Sequence, residues 1–469
     1  MVDVLLINPP SPNESLIIRD LNRSGRTTRE KIIWPQTNLA YLAAMLPKNL
    51  SVEILDCIAE RMNWEDFEKL LFQKKPKYVI SHVITSTYKN DFKVFKLAKK
   101  INAKTITMGP HATELIKESF EECQELDFIM LKEVELTFKE LILALEKDGN
   151  VGDIKGLAYR ENGEIKINED RNFIENLDEL PIPRHDLLPL EKYVFPFIAS
   201  KFTFVISSRG CPYDCTFCRQ PIMWSKKFRS RSAESIMKEL RFLKKIGVNN
   251  FLFQSDTFTI DRDVVLELCK KIIEEEFNMN WGCNSRVDTI DEELLKYMKK
   301  AGCWMVAYGF ESGSQKILDK CKKQATIKQI EDAANLTHKM RIKMYGYFII
   351  GLPGETKKTI EETINLSKKL PLTFAIFHVA SPYPGTEFHY EAGKNNWLNL
   401  ASLEDIDQGG VSPVNYQNLS SEEIMRGIKK AYLSFYLRPN VFLKVLKEVK
   451  NFNDFKHLSS IVIEHLKLK

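Results

Sequence analysis

The sequence lacks the features of a membrane protein, a secreted protein or a nucleic-acid-binding protein. No apolar run reaches the roughly 18 residues that a membrane-spanning helix needs, and the start, MVDVLLINPP, has no basic region or cleavage site of a signal peptide. Lysine and arginine total 68 against 63 aspartate and glutamate, so the net charge is only +5. That balance predicts no nucleic-acid partner. We therefore expect a cytoplasmic protein without a membrane span.

Cysteine is also scarce, and its distribution is uneven. Nine cysteines in 469 residues are too few for a disulfide scaffold, and an odd number leaves one unpaired. Three of them are bunched near the middle of the chain, whereas the first 200 residues hold only Cys57 and Cys123. The content of 44% hydrophobic and 28% charged residues is ordinary for a globular chain of about three domains.

Residues 1–148 show strands alternating with helices, which predicts an α/β domain with a parallel sheet covered on both faces. The predicted strands are residues 2–8, 52–55, 78–80, 105–108 and 128–131. Ligands of such sheets bind beyond the carboxyl ends of the strands. Here those ends carry small and polar loops that suit a flat ligand, and they include Thr85, Ser86, Gly109 and His111.

The rest of the chain predicts a connector, a second α/β domain and a helical end. Residues 149–200 contain a hairpin that turns at Asn162-Gly163 and then a proline-rich stretch. Residues 201–395 hold six strand–helix units, which fit an open, partial barrel because a full one needs eight. Residues 396–469 are predicted to be mainly helical. The six predicted barrel strands are residues 202–207, 250–253, 280–282, 304–309, 343–350 and 374–380.

The bunched cysteines follow the first predicted barrel strand directly. Cys211, Cys215 and Cys218 have the spacing C-x3-C-x2-C, which lets three thiolates grip one metal centre. A structural zinc site needs four protein ligands, and the nearest further candidates, His185 and Cys269, are distant in sequence. An iron–sulfur cubane held by three thiolates would keep one iron open for chemistry. A zinc site completed from afar and three unligated cysteines remain alternatives.

The cysteine motif resembles that of the radical S-adenosylmethionine (SAM) superfamily, and further segments are similar to it in the same order. These segments are GFESGS at 309–314, GLPGE at 351–355 and SPYPGT at 381–386. INPP at 7–10 and GPHAT at 109–113 resemble the domain of the B12-dependent subfamily. The resemblance implies an N-terminal Rossmann-like B12-binding domain, a partial (β/α)6 TIM-type radical SAM barrel and a helical C-terminal region.

The resemblance also implies the cofactors. The three cysteines would ligate a [4Fe–4S] cluster whose open iron binds SAM, and one electron from a donor such as flavodoxin or ferredoxin would split SAM into methionine and a 5′-deoxyadenosyl radical. An arginine suits the SAM carboxylate, although a salt bridge between Arg286 and Asp288 is the competing interpretation. The SAM-site residues that we carry over are Phe217, Arg286, Glu311, Ser312, Ser314 and Gly351.

Cobalamin is the third implied cofactor, with Thr85, Ser86, Gly109 and His111 as its predicted contacts. The motif D-x-H-x-x-G is absent, so we do not predict His111 as a cobalt ligand. Family members often carry Gly-Glu-Gly-Glu after the fifth strand, where this chain has Lys132-Glu-Val-Glu. Side chains there occupy a place where backbone would approach a ligand closely. Either cobalamin binds through the remaining loops, or the domain no longer binds cobalamin and serves only for packing.

Together these features predict a radical SAM enzyme that cleaves SAM at a [4Fe–4S] cluster and methylates an unactivated carbon of a small molecule with the help of cobalamin. A radical rearrangement or cyclisation without methyl transfer is the first alternative. A tRNA-modifying methylthiotransferase and a non-catalytic binding module are weaker alternatives. The sequence does not identify the substrate.

Overall fold

The computed structural model describes residues 2–20, 25–195, 198, 200–439 and 441. The chain divides into two compact units. The first consists of Met1–Thr27, Ile33–Tyr193 and Arg219–Ser225, and the second of Thr28–Ile32, Val194–Cys218 and Lys226–Lys469. None of the helices in the described residues is long and apolar enough to cross a membrane.

The first unit is built on a seven-stranded sheet with the order β2-β1-β3-β4-β5-β6-β7. Five parallel strands are followed by an antiparallel hairpin. Strand β1, with the sequence VLLIN, is buried along its whole length, as expected for a parallel strand covered on both faces. The strands are β1 (Val4–Asn8), β2 (Val52–Asp56), β3 (Tyr78–His82), β4 (Lys104–Met108), β5 (Phe128–Met130), β6 (Leu157–Glu161) and β7 (Glu164–Ile167).

Helices cover this sheet, and the strand order places a topological switch between β1 and β3. Helix α2 begins after Asn63, whose side chain caps the backbone N–H of Asp66. The helices up to the hairpin are α1 (Thr37–Met45), α2 (Trp64–Lys74), α3 (Tyr88–Asp91), α4 (Lys93–Lys99), α5 (Pro110–Glu114), α6 (Ile116–Glu122) and α7 (Glu135–Leu145). A short helix α8 (Gln220–Trp224) groups with this unit although it follows the cysteine motif.

The second unit contains six parallel strands in sequential order, which confirms the predicted partial barrel. The strands are β8 (Phe202–Val205), β9 (Asn250–Phe253), β10 (Asn280–Ser285), β11 (Cys303–Glu311), β12 (Lys343–Ile350) and β13 (Phe374–Val379). The helices are α9 (Ala233–Lys245), α10 (Arg262–Glu274), α11 (Glu292–Lys300), α12 (Gln315–Lys320), α13 (Ile327–Lys339), α14 (Lys357–Lys369), α15 (Glu387–Lys394) and α16 (Ser421–Tyr436).

Within the described residues no strand pairs with the outer edge of the last barrel strand. The N–H of Val379 donates to the carbonyl of Gln408 at 3.3 Å, and two tyrosines of α16 cover the rest of that edge. The hydroxyl of Tyr432 accepts from the N–H of Phe377 at 3.1 Å and lies 3.3 Å from the carbonyl of the same residue. Tyr436 makes the equivalent pair with Ala375, at 3.3 and 2.9 Å. Exposed strand edges are templates for unwanted pairing, and here side-chain hydroxyls satisfy the edge.

Three sequence predictions need correction. The hairpin, which does turn at Asn162-Gly163 with both residues at positive φ, extends the first sheet rather than standing apart in a connector. The alternation of strands and helices predicts one helix between β3 and β4, whereas the structure has two, α3 and α4. Residues 396–420 are irregular apart from the short turn Leu403–Asp405, so a helical end is confirmed only for α16, and residues 442–469 lie outside the described part of the chain.

Candidate active site

The cysteine motif occupies the loop that follows β8. Its three thiols, on Cys211, Cys215 and Cys218, are half-buried and reduced. Two other segments of the chain hold this loop by backbone hydrogen bonds. The N–H of Thr216 donates to the carbonyl of Cys321 at 3.0 Å, and the N–H of Phe388 donates to the carbonyl of Thr216 at 2.9 Å. The motif is therefore anchored to segments that follow the fourth and sixth barrel strands.

Burial and nearby positive charge act in opposite directions on the thiols of the motif. Burial raises the pKa of Cys211 and of Cys215, while the nearby positive charges of Lys323 and Arg286 act in the opposite direction on Cys215. Positive neighbours favour the thiolate, which is the form that binds metal. Within the described residues no group of three His, Cys, Asp or Glu side chains is placed to hold a single metal ion. The donor set, three soft thiolates in one short loop, fits an iron–sulfur cluster.

Glu311 ends β11 at a bulge and carries a carboxylate to the barrel mouth. Its φ is +64°, a backbone conformation that residues other than glycine rarely adopt. Its Oε1 accepts from the Nζ of Lys323 at 2.8 Å, and both side chains are about nine-tenths buried. A Cβ on Gly309 would lie 2.3 Å from that Oε1, so a side chain at this position would displace the carboxylate of Glu311. The sequence identified Glu311 but missed Lys323.

Arg286 follows β10 and is braced on several sides. Its guanidinium makes two hydrogen bonds of 2.9 Å to Asp288, and its NH2 group donates to the carbonyl of Lys323 at 2.9 Å. The guanidinium also stacks on the ring of Tyr213, inside the cysteine loop, at 3.4 Å from the ring centre. The competing interpretation, a salt bridge with Asp288, is therefore present in the structure. Arg286 joins the cysteine loop to the third barrel strand.

The remaining predicted SAM residues lie near these groups in different roles. The hydroxyl of Ser312 lies 3.2 Å from that of Thr363 and accepts from the N–H of Ser314 at 3.1 Å, so it holds the loop together. Ser314 precedes α12 as its N-cap residue without a side-chain cap. Phe217 is half-buried within the cysteine motif.

Gly351 follows β12 with φ +99° and hydrogen-bonds to a buried carboxyl group that the sequence did not single out. Its N–H donates to Oε2 of Glu355 at 2.5 Å, and its carbonyl accepts from the hydroxyl of Tyr416 at 2.7 Å. Burial raises the pKa of Glu355 to about 8. Its Oε1 has no hydrogen-bond partner among the described residues. Glu355 therefore fixes the GLPGE loop from inside the protein.

In the first unit, the carboxyl edge of the sheet gathers the predicted cobalamin contacts. Gly109, after β4, has φ +120°, and a Cβ there would lie 2.6 Å from the carbonyl of Val83. The ring of His111 is buried and stacks on Tyr88 at 4.5 Å. Burial lowers the pKa of His111 to about 3, and the charge of Arg219 acts in the same direction. The imidazole is therefore neutral.

Several buried polar atoms at this edge have no hydrogen-bond partner within the described residues. They are the hydroxyl of Thr85, Nδ1 of His111 and both ring nitrogens of His82, the last residue of β3. Buried polar groups are normally satisfied by protein, water or ligand. Ser86 instead lies 3.4 Å from the carbonyl of Gly25. The tight backbone at Gly109 and these polar atoms fit a large ligand with many amide groups, such as cobalamin. His82 carried no sequence signal beyond its place at a strand end.

One of the residues that stand where family members carry glycine keeps a backbone conformation typical of glycine. Lys132 has φ +57°, the left-handed conformation in which glycine is usually found. Its side chain forms a 2.6 Å ion pair with Asp170, and its N–H lies 3.4 Å from the hydroxyl of Thr113. The side chain of Glu133 accepts from the N–H of Ile174 at 2.7 Å. Lys132 therefore adopts a backbone conformation that glycine favours.

Comparisons with known proteins agree with both halves of this description. The sequence matches the radical SAM superfamily over residues 205–367 and the B12 binding domain over residues 28–142. A relative from Pyrococcus horikoshii, named an uncharacterized methyltransferase, is 35% identical over 461 residues, which is 96% of each chain.

Two further proteins extend the comparison. The anaerobic magnesium-protoporphyrin IX monomethyl ester cyclase of Cereibacter sphaeroides is 26% identical over 422 residues, covering 87% of this chain and 68% of that protein. The solved structure of the radical S-adenosylmethionine methyltransferase TsrM from Kitasatospora setae, with cobalamin and a [4Fe-4S] cluster bound, has a TM-score of 0.71 at 14% identity over 99% of each chain. That second likeness is one of fold.

Proposed function

This chain belongs to the B12-binding branch of the radical SAM superfamily, and from that premise we propose that it methylates an unactivated carbon of a small-molecule substrate. Its cofactors are a [4Fe–4S] cluster, SAM and cobalamin. The observation that carries the proposal is that one chain combines an intact cysteine motif at a barrel mouth with a B12-binding domain, over the full length of a relative named a methyltransferase.

We assign the site residues as part of this proposal. Cys211, Cys215 and Cys218 hold the cluster, and the SAM site is formed by Phe217, Arg286, Glu311, Ser312, Ser314 and Gly351. Thr85, Ser86, Gly109 and His111 contact cobalamin. When bound, the cluster supplies the electron that cleaves SAM, and cobalamin serves as the methyl carrier. The protein positions these groups and excludes water, since the cofactors carry the chemistry. The electron donor is a cytoplasmic protein such as flavodoxin or ferredoxin.

Cyclisation without methyl transfer is the second candidate, because a relative covering 87% of this chain is named a cyclase. The two reactions differ in what becomes of SAM. A methyltransferase that uses SAM both as methyl donor and as radical source forms S-adenosylhomocysteine together with 5′-deoxyadenosine. A cyclase forms 5′-deoxyadenosine alone. Both products are measurable by mass spectrometry before the substrate is known.

The experiment is anaerobic purification from cobalamin-replete cells, followed by reconstitution, counting of iron, sulfide and cobalt, and incubation with SAM and dithionite. We expect bound cobalt, iron and sulfide in the ratio of a [4Fe–4S] cluster, and both SAM products. The variant Cys215→Ala should lose SAM cleavage, whereas Cys321→Ala, a buried thiol beside the same loop, should retain it. Protein without cobalt would remove the methyl-transfer proposal. Cleavage by Cys215→Ala would contradict the cluster assignment.

A further inference from the structure

An aromatic ring inside the cysteine motif carries a buried guanidinium group. Tyr213 lies between the first two cysteines of the motif, and the guanidinium carbon of Arg286 lies 3.4 Å from the centre of its ring. At this distance the flat cation lies directly on the electron-rich face of the ring, which attracts it. The side chain of Arg286 is only 6% exposed, so water weakens this attraction little. The contact joins the cysteine loop to the residues that follow β10.

The edges of the same guanidinium are held by hydrogen bonds. Its Nε and Nη2 groups each donate to Asp288 at 2.9 Å, and Nη2 also donates to the carbonyls of Lys323 and Gln324 at 2.9 and 3.2 Å. The hydroxyl of Tyr213 donates to Asp288 at 3.3 Å. Because a planar guanidinium bound at its edges has one fixed orientation, the ring of Tyr213 rests on a surface that the rest of the barrel has already positioned.

This stack holds the half of the motif that backbone hydrogen bonds leave unsupported. The bonds from neighbouring segments reach the motif at Thr216, after the second cysteine. Before that cysteine, Asp214 forms an ion pair with Lys226, and both side chains are about half-exposed. Exposed ion pairs of this kind contribute little to stability. The buried contact of Tyr213 with Arg286 therefore fixes the first half of the loop.

The stack also keeps a positive charge beside the cluster site. Burial raises the pKa of Cys211 and of Cys215, and the charge of Arg286 acts on both thiols in the opposite direction. A reduced iron–sulfur cluster carries one more negative charge than the oxidised cluster, so a nearby cation stabilises the reduced form. Asp288 offsets part of this charge. What remains depends on how closely the ring of Tyr213 holds the guanidinium to the loop.

We propose that Tyr213 is a positioning residue for the cluster. Its ring holds the guanidinium of Arg286 flat against the cysteine loop, which fixes the first half of the motif and keeps a positive charge beside the metal. This inference rests on the cluster assignment in the proposed function. It adds a residue to which the spacing C-x3-C-x2-C assigns no role, because Tyr213 stands at one of the variable positions.

The test compares Tyr213→Leu with Tyr213→Phe in the reconstituted full chain. Leucine removes the ring, whereas phenylalanine keeps the ring and loses only the hydrogen bond to Asp288. We expect Tyr213→Leu to lose its cluster iron to EDTA about tenfold faster than the wild type, as expected for the loss of a desolvated cation–π contact. The midpoint potential of its cluster, measured by electron paramagnetic resonance during a redox titration, should be more negative. Tyr213→Phe should match the wild type in both measurements.

The matched control is Tyr297→Leu. Tyr297 is a half-buried tyrosine of α11 that also carries a cation over its ring, Lys270 at 5.7 Å from the ring centre. This variant should change neither the rate of iron loss nor the potential. If the cluster-free Tyr213→Leu protein does not fold, Arg286→Gln is measured instead. It keeps the ring but removes the cation, so it should show both changes, and wild-type values in it overturn the inference.

The outcomes separate this inference from the function on which it rests. Wild-type values in Tyr213→Leu, or equal changes in Tyr213→Leu and Tyr213→Phe, overturn the role of the ring. Faster loss of iron with an unchanged midpoint potential also overturns the proposal, because a merely structural role would give that result. Wild-type protein that takes up no cluster overturns the proposed function and the inference with it. Wild-type protein that holds a cluster but does not cleave SAM overturns the proposed function alone.

Discussion

The buried carboxyl group of Glu355 should make the stability of the protein depend on pH. Burial raises its pKa to about 8 in the folded protein, from an ordinary value of 4.5. Between these two values the folded chain holds a proton that the unfolded chain has released. The stability that this proton contributes to the folded protein is therefore complete below about pH 4.5, and it is lost as the pH rises through about 8. One proton corresponds to a slope of about 1.4 kcal/mol per pH unit.

The substitution Glu355→Gln removes this proton while keeping an oxygen that accepts from the N–H of Gly351. Between pH 5.5 and pH 7.5 we expect the free energy of unfolding of the wild type to fall by roughly 2.7 kcal/mol relative to that of the variant. This is the same slope taken over two pH units. Urea unfolding of both proteins, followed by tryptophan fluorescence at several pH values, measures the difference.

The matched control is Glu362→Gln, since Glu362 is a half-buried glutamate on the following helix. This variant keeps the Glu355 carboxyl group, so it should lose stability between pH 5.5 and pH 7.5 as the wild type does. Parallel curves for wild type and Glu355→Gln across the same range would refute the assignment of a neutral Glu355.

Two glycine-type positions in the first unit give further predictions. Gly109→Ala should destabilise the protein by about 2 kcal/mol more than Gly163→Ala and lower its cobalt content. Both glycines have positive φ, but only a Cβ on residue 109 would meet a backbone carbonyl, that of Val83. Equal losses of stability in urea unfolding would refute this clash. Lys132→Gly should stabilise by up to about 1 kcal/mol because its φ is +57°, whereas Lys139→Gly, inside α7, should destabilise by about 1 kcal/mol. Destabilisation by Lys132→Gly in the same assay would contradict that reasoning.

Much of the fold was predictable because periodic burial leaves a periodic pattern. The apolar runs located all six barrel strands, two of them with the observed ends, Asn250–Phe253 and Lys343–Ile350. Two predicted strands were too short, because polar residues extend them to Ser285 and Glu311 and hydrogen bonding to neighbours does not require apolar side chains. The other two were too long, since the observed strands end at Val205 and Val379. Residues 396–420 follow no period, and composition alone did not distinguish them from helix.

The site was predictable where spacing carries the chemistry and unpredictable where tertiary contacts choose the partner. The cysteine motif and the Gly309–Glu311 segment are recognisable because their residue types follow one another within a short stretch of sequence. Arg286 has a partner two residues away and another in the cysteine loop, and only the fold brings Tyr213 beneath it. Lys323 points inward because of backbone conformations that no sequence pattern encodes. Side-chain direction in loops is thus the part that sequence reasoning missed.

The tyrosines of α16 make the integrity of the barrel depend on a segment far along the chain. Tyr432 and Tyr436 occupy the amide and carbonyl groups that a seventh parallel strand would otherwise use. A fragment ending before Ser420 would therefore present a bare strand flank able to recruit another molecule. The edge of the last barrel strand is thus closed by phenol groups that lie 55 and 61 positions further along the chain.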